Sequence, residues 1–275
     1  MAEYSDEINR QYGQKGLGDK ILTTFERAGI QPDTLTLDDL ALIDQLHAGG
    51  IEATRYLAEM AGIKPGMSVL DVGSGLGGPA RVLAAEFGCR VTGVDITEEF
   101  VLTACQLTDL VGLSDSASFR VGNALELDFE EASFDAVWIQ NSVMNIEDKP
   151  QVFREAHRVL KGGGVLALES IIADRKPETR FPVFWADRPG ISFLTNTAEL
   201  QAMMTEIGFI QLSWEDITEK SAQSNRKLLP VYAEKAPEIG MHIFTNNLYQ
   251  KIVNTLTGLE DGTYRYIYAV YKKSA

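Results

Sequence analysis

One short stretch, residues 69–95 (VLDVGSGLGGPARVLAAEFGCRVTGVD), constrains the fold of this chain more than any other part of it. An apolar run is followed by an acidic residue, a glycine-rich turn, a helical pattern, a second apolar run and a second acidic residue. This order predicts a parallel β–α–β unit that binds a nucleoside-bearing cofactor at the ends of its strands. Gly73, Gly75 and Gly78 fit the pattern G-x-G-x-x-G, and Asp95 lies where a ribose-binding carboxylate is expected.

The charge at the mouth of this turn distinguishes between two classes of cofactor. A dinucleotide would place its pyrophosphate at the helix N-terminus, where free N–H groups and the helix dipole favour negative charge. Asp71 lies just before the turn, where it would repel a pyrophosphate but attract a cofactor that carries an ammonium and a sulfonium group. We therefore expect S-adenosylmethionine, with its ribose bound by Asp95. An NAD-dependent oxidoreductase is the alternative.

Several motifs resemble those of the class I S-adenosylmethionine-dependent methyltransferases. The segment DVGSGLGGPAR resembles the first motif of that family, and VTGVD resembles the acidic motif that ends its second strand. The similarity continues at residues 122–124, 134–138 and 158–164 (GNA, FDAVW and RVLKGGG). More narrowly, the segments LHAGG, MNIEDK and FPVFWA resemble the sarcosine/dimethylglycine-type methyltransferases, which act on small molecules.

The order of strand and helix patterns predicts an α/β fold with a doubly wound, mostly parallel seven-stranded sheet, the Rossmann-like methyltransferase fold of that family. Strands are predicted near residues 68–72, 90–95, 118–121, 136–139, 165–172, 209–214 and 264–271, and helices near 79–87, 98–111, 150–160 and 198–207. Residues 1–62 would form an N-terminal helical cap and residues 63–275 the cofactor-binding domain. Insertions at residues 173–196 and 219–262 would form a lid, because both follow strands on the ligand-binding side of the sheet.

The resemblance implies which residues contact the cofactor. The glycine turn would approach its methionine portion, the acid after the second strand its ribose, and the residues after the third strand its adenine. The expected cofactor-binding residues are Asp71, Gly73, Ser74, Gly75, Asp95, Ile96, Asn123, Ala124 and Gln140. Related enzymes usually have Asp at the position of Asn123, so the amide oxygen here would accept from the adenine amino group more weakly.

Three residues are candidates for a role in catalysis: Tyr12, His47 and Asn141. Tyr12 matches a tyrosine that folds over the cofactor in similar enzymes, although a core aromatic on an amphipathic helix is an equal alternative. His47 could orient the acceptor, take a proton or cap the next helix. Many relatives have a histidine where this chain has Asn141, and an amide cannot act as a base near neutral pH. This departure favours an acceptor that is already nucleophilic.

Asn145, Trp185 and Arg188 are the candidates for binding the acceptor. Trp185 could form part of an aromatic wall for a methylated cation, and Arg188 could bind a carboxylate, although packing and surface exposure are the alternatives. We expect a methyltransferase that acts on an amine or amino-acid-like metabolite, by N-methylation or by S-methylation of a thioether. C- or O-methylation in secondary metabolism, and a non-catalytic protein that binds S-adenosylmethionine, remain open.

The composition argues against nucleic acids, membranes and metals as partners. The net charge of −14 disfavours binding to a phosphate backbone. No run of about 18 apolar residues marks a membrane span, and the first residues lack the features of a signal peptide. Cys89 and Cys105 form no disulfide framework or zinc motif. We expect a cytoplasmic protein with a small-molecule partner and no metal cofactor, and a homo-oligomer is left open.

Overall fold

The computed structural model describes residues 13–174 and 179–274 of the chain. Tyr12, predicted to cover the cofactor, therefore lies outside the described residues. The strands are β1 Ser68–Val72, β2 Arg90–Asp95, β3 Ala117–Val121, β4 Phe134–Gln140, β5 Leu160–Ile172, β6 Phe209–Asp216 and β7 Arg265–Lys273. The helices are α1 Leu17–Arg27, α2 Leu37–Asp44, α3 Gly50–Met60, α4 Gly78–Ala85, α5 Glu98–Leu110, α6 Lys149–Val159, α7 Thr197–Ile207, α8 Thr218–Glu234 and α9 Leu248–Glu260.

The seven strands form one sheet in the order β3-β2-β1-β4-β5-β7-β6. Strands β1 to β5 pair in parallel, whereas β7 runs antiparallel to β5 and β6. The predicted doubly wound, mostly parallel sheet is thereby confirmed. The strand order reverses between β1 and β4, so the carboxyl ends of these two strands open the crevice in which such sheets bind ligands.

Strand β5 begins at Leu160, although the sequence predicts a turn through the glycines and a strand only from Val165. Phe134 pairs with Leu160 and Ala136 with Val165, so the β5 side carries extra residues as a bulge. Gly163, at φ 77°, supplies the backbone conformation that this bulge requires. The prediction was wrong at this boundary because the glycines interrupt the side-chain alternation, while strand pairing resumes on either side of them.

Helices cover both faces of the sheet. Trp138 and Ile139, successive residues of β4, point to opposite faces. On the face of Trp138 the core includes residues of α3, α4 and α9. On the face of Ile139 it includes residues of α6 and α7. Helices α1 and α2 form a third apolar cluster with α5 at one edge of the molecule, which places the end of α2 beside the carboxyl ends of β1 and β2.

The second predicted insertion contains helices α8 and α9. The sequence pattern does not predict α8, because its buried face consists of the small and polar residues Ser221, Ala222 and Asn225, which give no apolar periodicity. None of the helices within the described ranges is long and apolar enough to cross a lipid bilayer.

Candidate active site

A cavity of about 710 Å³ lies at the carboxyl ends of the parallel strands. Its volume is within the range of pockets that hold drug-sized ligands. The sequence-predicted site residues that line it are Asp71, Gly73, Ser74, Gly75, Asp95, Ile96, Asn123, Ala124, Gln140, Asn141, His47, Asn145 and Trp185. Arg188 is exposed and is not among the lining residues.

The glycine turn after β1 is shaped for close approach of backbone to backbone. The N–H groups of Gly73 and Ser74 both donate to the carbonyl of Val94, at 2.8 and 3.1 Å, and so tie the turn to β2. Gly73 has φ 78°, and a Cβ at this position would lie 2.3 Å from the Cβ of Ser142. Only glycine satisfies both the conformation and the space.

Asp95 ends β2 and shapes the same turn. Its Oδ2 accepts from the N–H of Gly75 at 2.9 Å, and its Oδ1 accepts from the N–H of Thr97 at 2.8 Å. Burial raises the pKa of Asp95, and these hydrogen bonds oppose the rise. Each carboxylate oxygen has a second acceptor site, so the hydroxyls of a ribose can donate to the same group.

Asp71, in β1, carries a buried oxygen without a partner. The residue is 1% exposed, and its Oδ2 has no hydrogen-bond partner among the described residues. Burial, together with the nearby charge of Asp95, raises the pKa of Asp71 to about 8. A buried carboxyl oxygen without a partner is costly. A cationic ligand group placed here would supply the missing partner and favour the ionised form.

Gln140, at the end of β4, has protein partners at both ends of its amide. Oε1 accepts from Nε1 of Trp138 at 2.8 Å and from the hydroxyl of Thr54 at 3.2 Å. Nε2 donates to Oε2 of Glu169 at 2.7 Å and to Nδ1 of His47 at 3.1 Å. An amide has two donor hydrogens and two acceptor sites. The Thr54 hydroxyl has one proton and also lies 3.2 Å from Oε1 of Gln45, so an acceptor site on Oε1 of Gln140 remains for a ligand whenever that proton points to Gln45.

His47 lies in the segment between α2 and α3. Its Nε2 is 2.9 Å from Oε1 of Gln45, whose Nε2 donates to Oδ1 of Asp44 at 2.8 Å. Nε2 faces the oxygen of Gln45, and Nδ1 faces the amide nitrogen of Gln140 at 3.1 Å and the carbonyl of Ala48 at 3.4 Å; the shorter contacts favour the neutral imidazole with its proton on Nε2. Burial lowers the pKa of His47 to about 4. The ring is thus neutral near pH 7, and both of its nitrogens have partners.

Asn141 follows Gln140 in the left-handed conformation, at φ 59°, which asparagine tolerates better than most residues. Its Nδ2 donates to the hydroxyl of Tyr266 at 2.8 Å, while its Oδ1 is buried without a partner among the described residues. Tyr266 also lines the cavity. Sequence analysis misses Tyr266, because β7 is distant along the chain and only its insertion beside β5 brings the residue here.

Asn145 and Trp185 hold the first insertion in place. Nδ2 of Asn145 donates to the carbonyls of Trp185 and Ile191, both at 2.7 Å. Nε1 of Trp185 donates to the hydroxyl of Ser192 at 2.9 Å, and its ring packs edge-on against Tyr264 with centroids 5.1 Å apart. These polar groups bind protein atoms, so direct recognition of an acceptor by the two residues stays a prediction.

A buried ion pair joins the segment before His47 to the glycine turn. Arg81, fully buried in α4, donates to Oδ2 of Asp44 at 2.8 Å and to the carbonyl of Leu76 at 2.6 Å. Its other terminal nitrogen donates to the hydroxyl of Thr108 at 2.8 Å. The sequence pattern does not indicate that Asp44 and Arg81 form a pair. The available signal is a single arginine within the apolar helix GPARVLAA, because a buried guanidinium requires an acidic partner.

The two insertions supply a further part of the lining. Leu228 and Val231 of α8, with Phe244, contribute apolar side chains. Lys251 of α9 is 3% exposed and is paired with Asp187 at 2.8 Å. No arginine occurs among the described lining residues. Within residues 13–174 and 179–274, no group of three or more His, Cys, Asp or Glu side chains is arranged to hold a metal ion.

Known proteins are similar to this chain in sequence and in fold. Residues 70–168 match the family described as a methyltransferase domain. Methyltransferase GfsG of Streptomyces halstedii is 30% identical over 244 residues, which cover 86% of this chain and 84% of that protein. Phosphoethanolamine N-methyltransferase 3 of Arabidopsis thaliana is 29% identical over 207 residues, which cover 74% of this chain but only 41% of that protein.

A proposed sarcosine dimethylglycine methyltransferase from Galdieria sulphuraria has a similar crystal structure. The TM-score is 0.66 at 21% identity, over 82% of this chain and 85% of that chain. At this identity the likeness concerns the fold, whereas the likeness to GfsG extends over most of both sequences. Together with the matched family, it shows that this chain belongs to the S-adenosylmethionine-dependent methyltransferases.

Proposed function

We propose that this methyltransferase transfers a methyl group to the nitrogen of a small amine. One observation carries the proposal: apart from the carboxyls of the cofactor turn, no described lining residue offers a base that is both unprotonated near pH 7 and unpartnered. His47 is neutral with both nitrogens bonded, Asn141 carries an amide, and Asp187 is paired with Lys251. The acceptor must then arrive with a free lone pair, as a neutral amine does and as a thioether would in the alternative of S-methylation.

Two carboxyl groups at the ends of β1 and β2 suit opposite ends of S-adenosylmethionine. Asp71 would bind the ammonium group through its unpartnered Oδ2, and Asp95 would accept from the ribose hydroxyls. The backbone of Gly73 and Gly75 would lie against the methionine portion, and Ser74 beside it. This division follows from charge, because the turn that Asp71 approaches is then filled by a cation rather than by a pyrophosphate.

The adenine would lie beyond the end of β3. Ile96 and Ala124 line the cavity there and would contact the faces of the ring. Oδ1 of Asn123 accepts from the N–H of Leu125 at 3.0 Å. Its second lone pair is free to accept from the adenine amino group. We assign the adenine subsite to these residues.

Methyl transfer depends more on the alignment of the reacting groups than on proton transfer. Bound S-adenosylmethionine supplies an electrophilic methyl group on a positively charged sulfur. Formation of the N–C bond would accompany cleavage of the S–C bond, the nitrogen would take up the positive charge, and a product ammonium that still carries an N–H would lose that proton to water. Such a step depends on orientation and on exclusion of water. Phe184 and Trp185 of the first insertion and Phe244 of the second would exclude that water.

The shape of the cavity supports the proposed division of the chain. Residues 1–62 would act as the cap and residues 173–196 and 219–262 as the lid, since the described parts of all three line the cavity. A carboxylate on the acceptor would be bound by Lys227, which lines the cavity, rather than by the exposed Arg188 or by Lys251, which is paired with Asp187. We place the protein in the cytoplasm, acting on a small molecule without a metal.

Acceptor profiling tests this proposal. Purified protein and S-adenosylmethionine are incubated with matched panels of primary to tertiary amines, phenols, thioethers, keto acids and prenyl compounds, and release of S-adenosylhomocysteine is measured. We expect turnover to be confined to amines and to increase with pH as the amine loses its proton. Turnover of phenols or of carbon acceptors, with amines inert, would replace N-methylation by O- or C-methylation.

A further inference from the structure

Glu169 is a fully buried carboxyl group that the proposed methyl transfer does not yet explain. It lies in β5, paired in the sheet with Gln140 of β4 and Tyr268 of β7, and it is 0% exposed. It is not among the residues that line the cavity. A carboxyl group in such a position needs hydrogen-bond partners to be tolerated.

The partners of Glu169 come from two other segments of the site. Oε1 accepts from the backbone N–H of Ala48 at 3.1 Å, and Oε2 accepts from Nε2 of Gln140 at 2.7 Å. Oε2 also lies 3.6 Å from Nδ1 of His47. One carboxyl group therefore holds the segment between α2 and α3 and the end of β4, and it reaches the imidazole only through Gln140, because 3.6 Å is too long for a hydrogen bond.

These contacts continue without a break to the cofactor turn. From Glu169 the hydrogen bonds run through Gln140, His47 and Gln45 to Asp44. From Asp44 they pass through Arg81 to the carbonyl of Leu76, inside the glycine turn. Every side chain in this series of hydrogen bonds is buried. Asp44 is its anchor on the cofactor side, and Glu169 is its anchor on the β5 side.

We propose that Glu169 is a positioning residue for methyl transfer, which acts on the acceptor side of the cavity through Gln140, His47 and Ala48. It touches neither cofactor nor acceptor. Its effect is to fix the groups that line the end of β4, where an error of about 1 Å in alignment can lower a rate on the order of 100-fold. The inference rests on the proposed methyl transfer for its activity measurement, although its structural part can be tested without any acceptor.

The geometry requires a carboxyl group at this position rather than an amide. Burial raises the pKa of Glu169 to about 8, and the hydrogen bonds from Gln140 and Ala48 oppose this rise because they favour the ionised form, which accepts at both oxygens. The facing groups, the N–H of Ala48 and Nε2 of Gln140, are both donors. A glutamine has one accepting end only. In Glu169→Gln, the nitrogen of the new amide must therefore face another donor. A flip of the Gln140 amide would relieve this contact, but it would turn Nε2 of Gln140 toward Nε1 of Trp138, which is also a donor.

An exchange of the two side chains restores the pattern. In the double variant Q140E/E169Q, residue 169 accepts from Ala48 through its oxygen and donates through its nitrogen to the new carboxylate at residue 140. That carboxylate also accepts from Trp138. Its other oxygen, an acceptor, faces Nδ1 of His47, where the wild type has the donor Nε2 of Gln140. The imidazole must then carry a proton on Nδ1, so the pKa of His47 should rise in the double variant.

The experiment measures kcat, KM for the amine and Kd for S-adenosylhomocysteine in wild type, E169Q and Q140E/E169Q. The control is E155Q, since Glu155 also accepts from a backbone N–H but lies in α6, outside the cavity lining. Nitrogen-15 NMR of His47 without acceptor reports the proton position. We expect kcat of E169Q to fall about 5- to 100-fold, the effect of one unsatisfied buried hydrogen bond, with Kd unchanged.

The double variant should show His47 protonated at Nδ1, and E155Q should match wild type. The proposal is overturned if E169Q keeps the kcat of wild type, if its Kd rises in parallel with the loss of kcat, or if the His47 signals of E169Q and of the double variant are those of wild type. Absence of amine turnover by wild type would instead contradict the proposed function. In that case the NMR signals of His47 alone decide the positioning role.

Discussion

Nε1 of Trp138 donates to Oε1 of Gln140 at 2.8 Å, and this contact decides which end of the Gln140 amide faces His47. The two residues are two positions apart in β4 and so share one face of the sheet. An indole N–H can only donate, so the amide oxygen must face it and the amide nitrogen must face Glu169 and His47. A buried tryptophan thereby sets the hydrogen-bonding pattern at the end of β4.

The first prediction concerns Asp71 and pH. Because the pKa of Asp71 is raised to about 8, the free protein holds this carboxyl protonated below that pH, and binding of a cofactor ammonium must release the proton. Affinity for S-adenosylhomocysteine should therefore rise by about tenfold per pH unit between roughly 5.5 and 7.5. Calorimetry in buffers of different ionisation enthalpy measures both the affinity and the proton release.

Asp71→Asn should weaken binding about 10- to 100-fold at pH 7.5, the worth of a charge-assisted hydrogen bond, and remove the pH dependence. Asp33→Asn is the control, since Asp33 is exposed and distant from the cavity lining. A pH dependence that survives in Asp71→Asn would assign the proton to another group.

The second prediction separates backbone strain from close approach in the glycine turn. Gly73 and Gly66 both have positive φ, 78° and 85°, but a Cβ at Gly73 meets Ser142 whereas a Cβ at Gly66 meets no atom within 4 Å. Backbone strain should lower the free energy of unfolding by about 1–2 kcal/mol in each alanine variant, and Gly73→Ala should lose more because its Cβ also meets Ser142. Only Gly73→Ala should also abolish cofactor binding, as measured by calorimetry and urea unfolding.

Removing the obstructing side chain provides the check on this explanation. Adding Ser142→Gly to Gly73→Ala should restore part of the cofactor affinity, because it removes the Cβ and Oγ that lie 2.3 and 2.7 Å from the new atom. If Gly66→Ala lost the cofactor as completely as Gly73→Ala, strain alone would account for both.

The third prediction concerns the buried pair of Asp44 and Arg81, whose closest atoms are 2.8 Å apart. Removing one partner leaves an uncompensated buried charge, so Arg81→Met or Asp44→Asn should lower the free energy of unfolding by about 3–5 kcal/mol. The double variant should lose less than the sum of the two. Because Arg81 also bonds the carbonyl of Leu76 in the turn, cofactor affinity should fall too. Additive losses in urea unfolding would show that the pair is not coupled.

The fourth prediction concerns the ionisation of His47. Burial lowers its pKa from 6.5 to about 4, so its contribution to stability is present above pH 6.5 and is lost as the pH falls through 4. The pKa values of Glu169 and Asp71 are raised to about 8. Their contribution to stability is therefore present at low pH and is lost as the pH rises through 8. Nitrogen-15 NMR should find His47 neutral, with its proton on Nε2, at pH 6.

The control for the NMR assignment is the pair His157→Gln and His242→Gln, which removes the other two histidines of the chain. Titration of the remaining signal near pH 6.5, rather than below 5, would show that His47 is hydrated and free to act as a base.

The sequence predicts the parts of this protein that depend on local pattern. The run from Val69 to Asp95 predicts β1, the turn and β2 because each needs particular residues at fixed spacing. The contacts of Gln140 with Glu169, and of Asn141 with Tyr266, cannot be predicted in this way. They depend on which strands are neighbours in the sheet, and Glu169 reads locally as one polar residue in an apolar strand.

The acceptor candidates show the same limit. Asn145 and Trp185 lie in the cavity wall as expected, but their polar groups are taken up by the first insertion. Arg188 lies on the surface, since nothing in an irregular segment fixes the side to which a side chain points. An amphipathic period is what allows orientation to be predicted from sequence, and this segment has none.

The central claim is methyl transfer from S-adenosylmethionine to nitrogen. The most direct measurement supplies methyl-¹³C S-adenosylmethionine and a ¹⁵N-labelled amine that is turned over in the acceptor panel, and observes the product by NMR. We predict a one-bond coupling between the new ¹³C methyl and ¹⁵N, absent when Asp71→Asn replaces wild type at low cofactor concentration. A new methyl signal without nitrogen coupling, bonded to carbon or oxygen instead, would contradict the account.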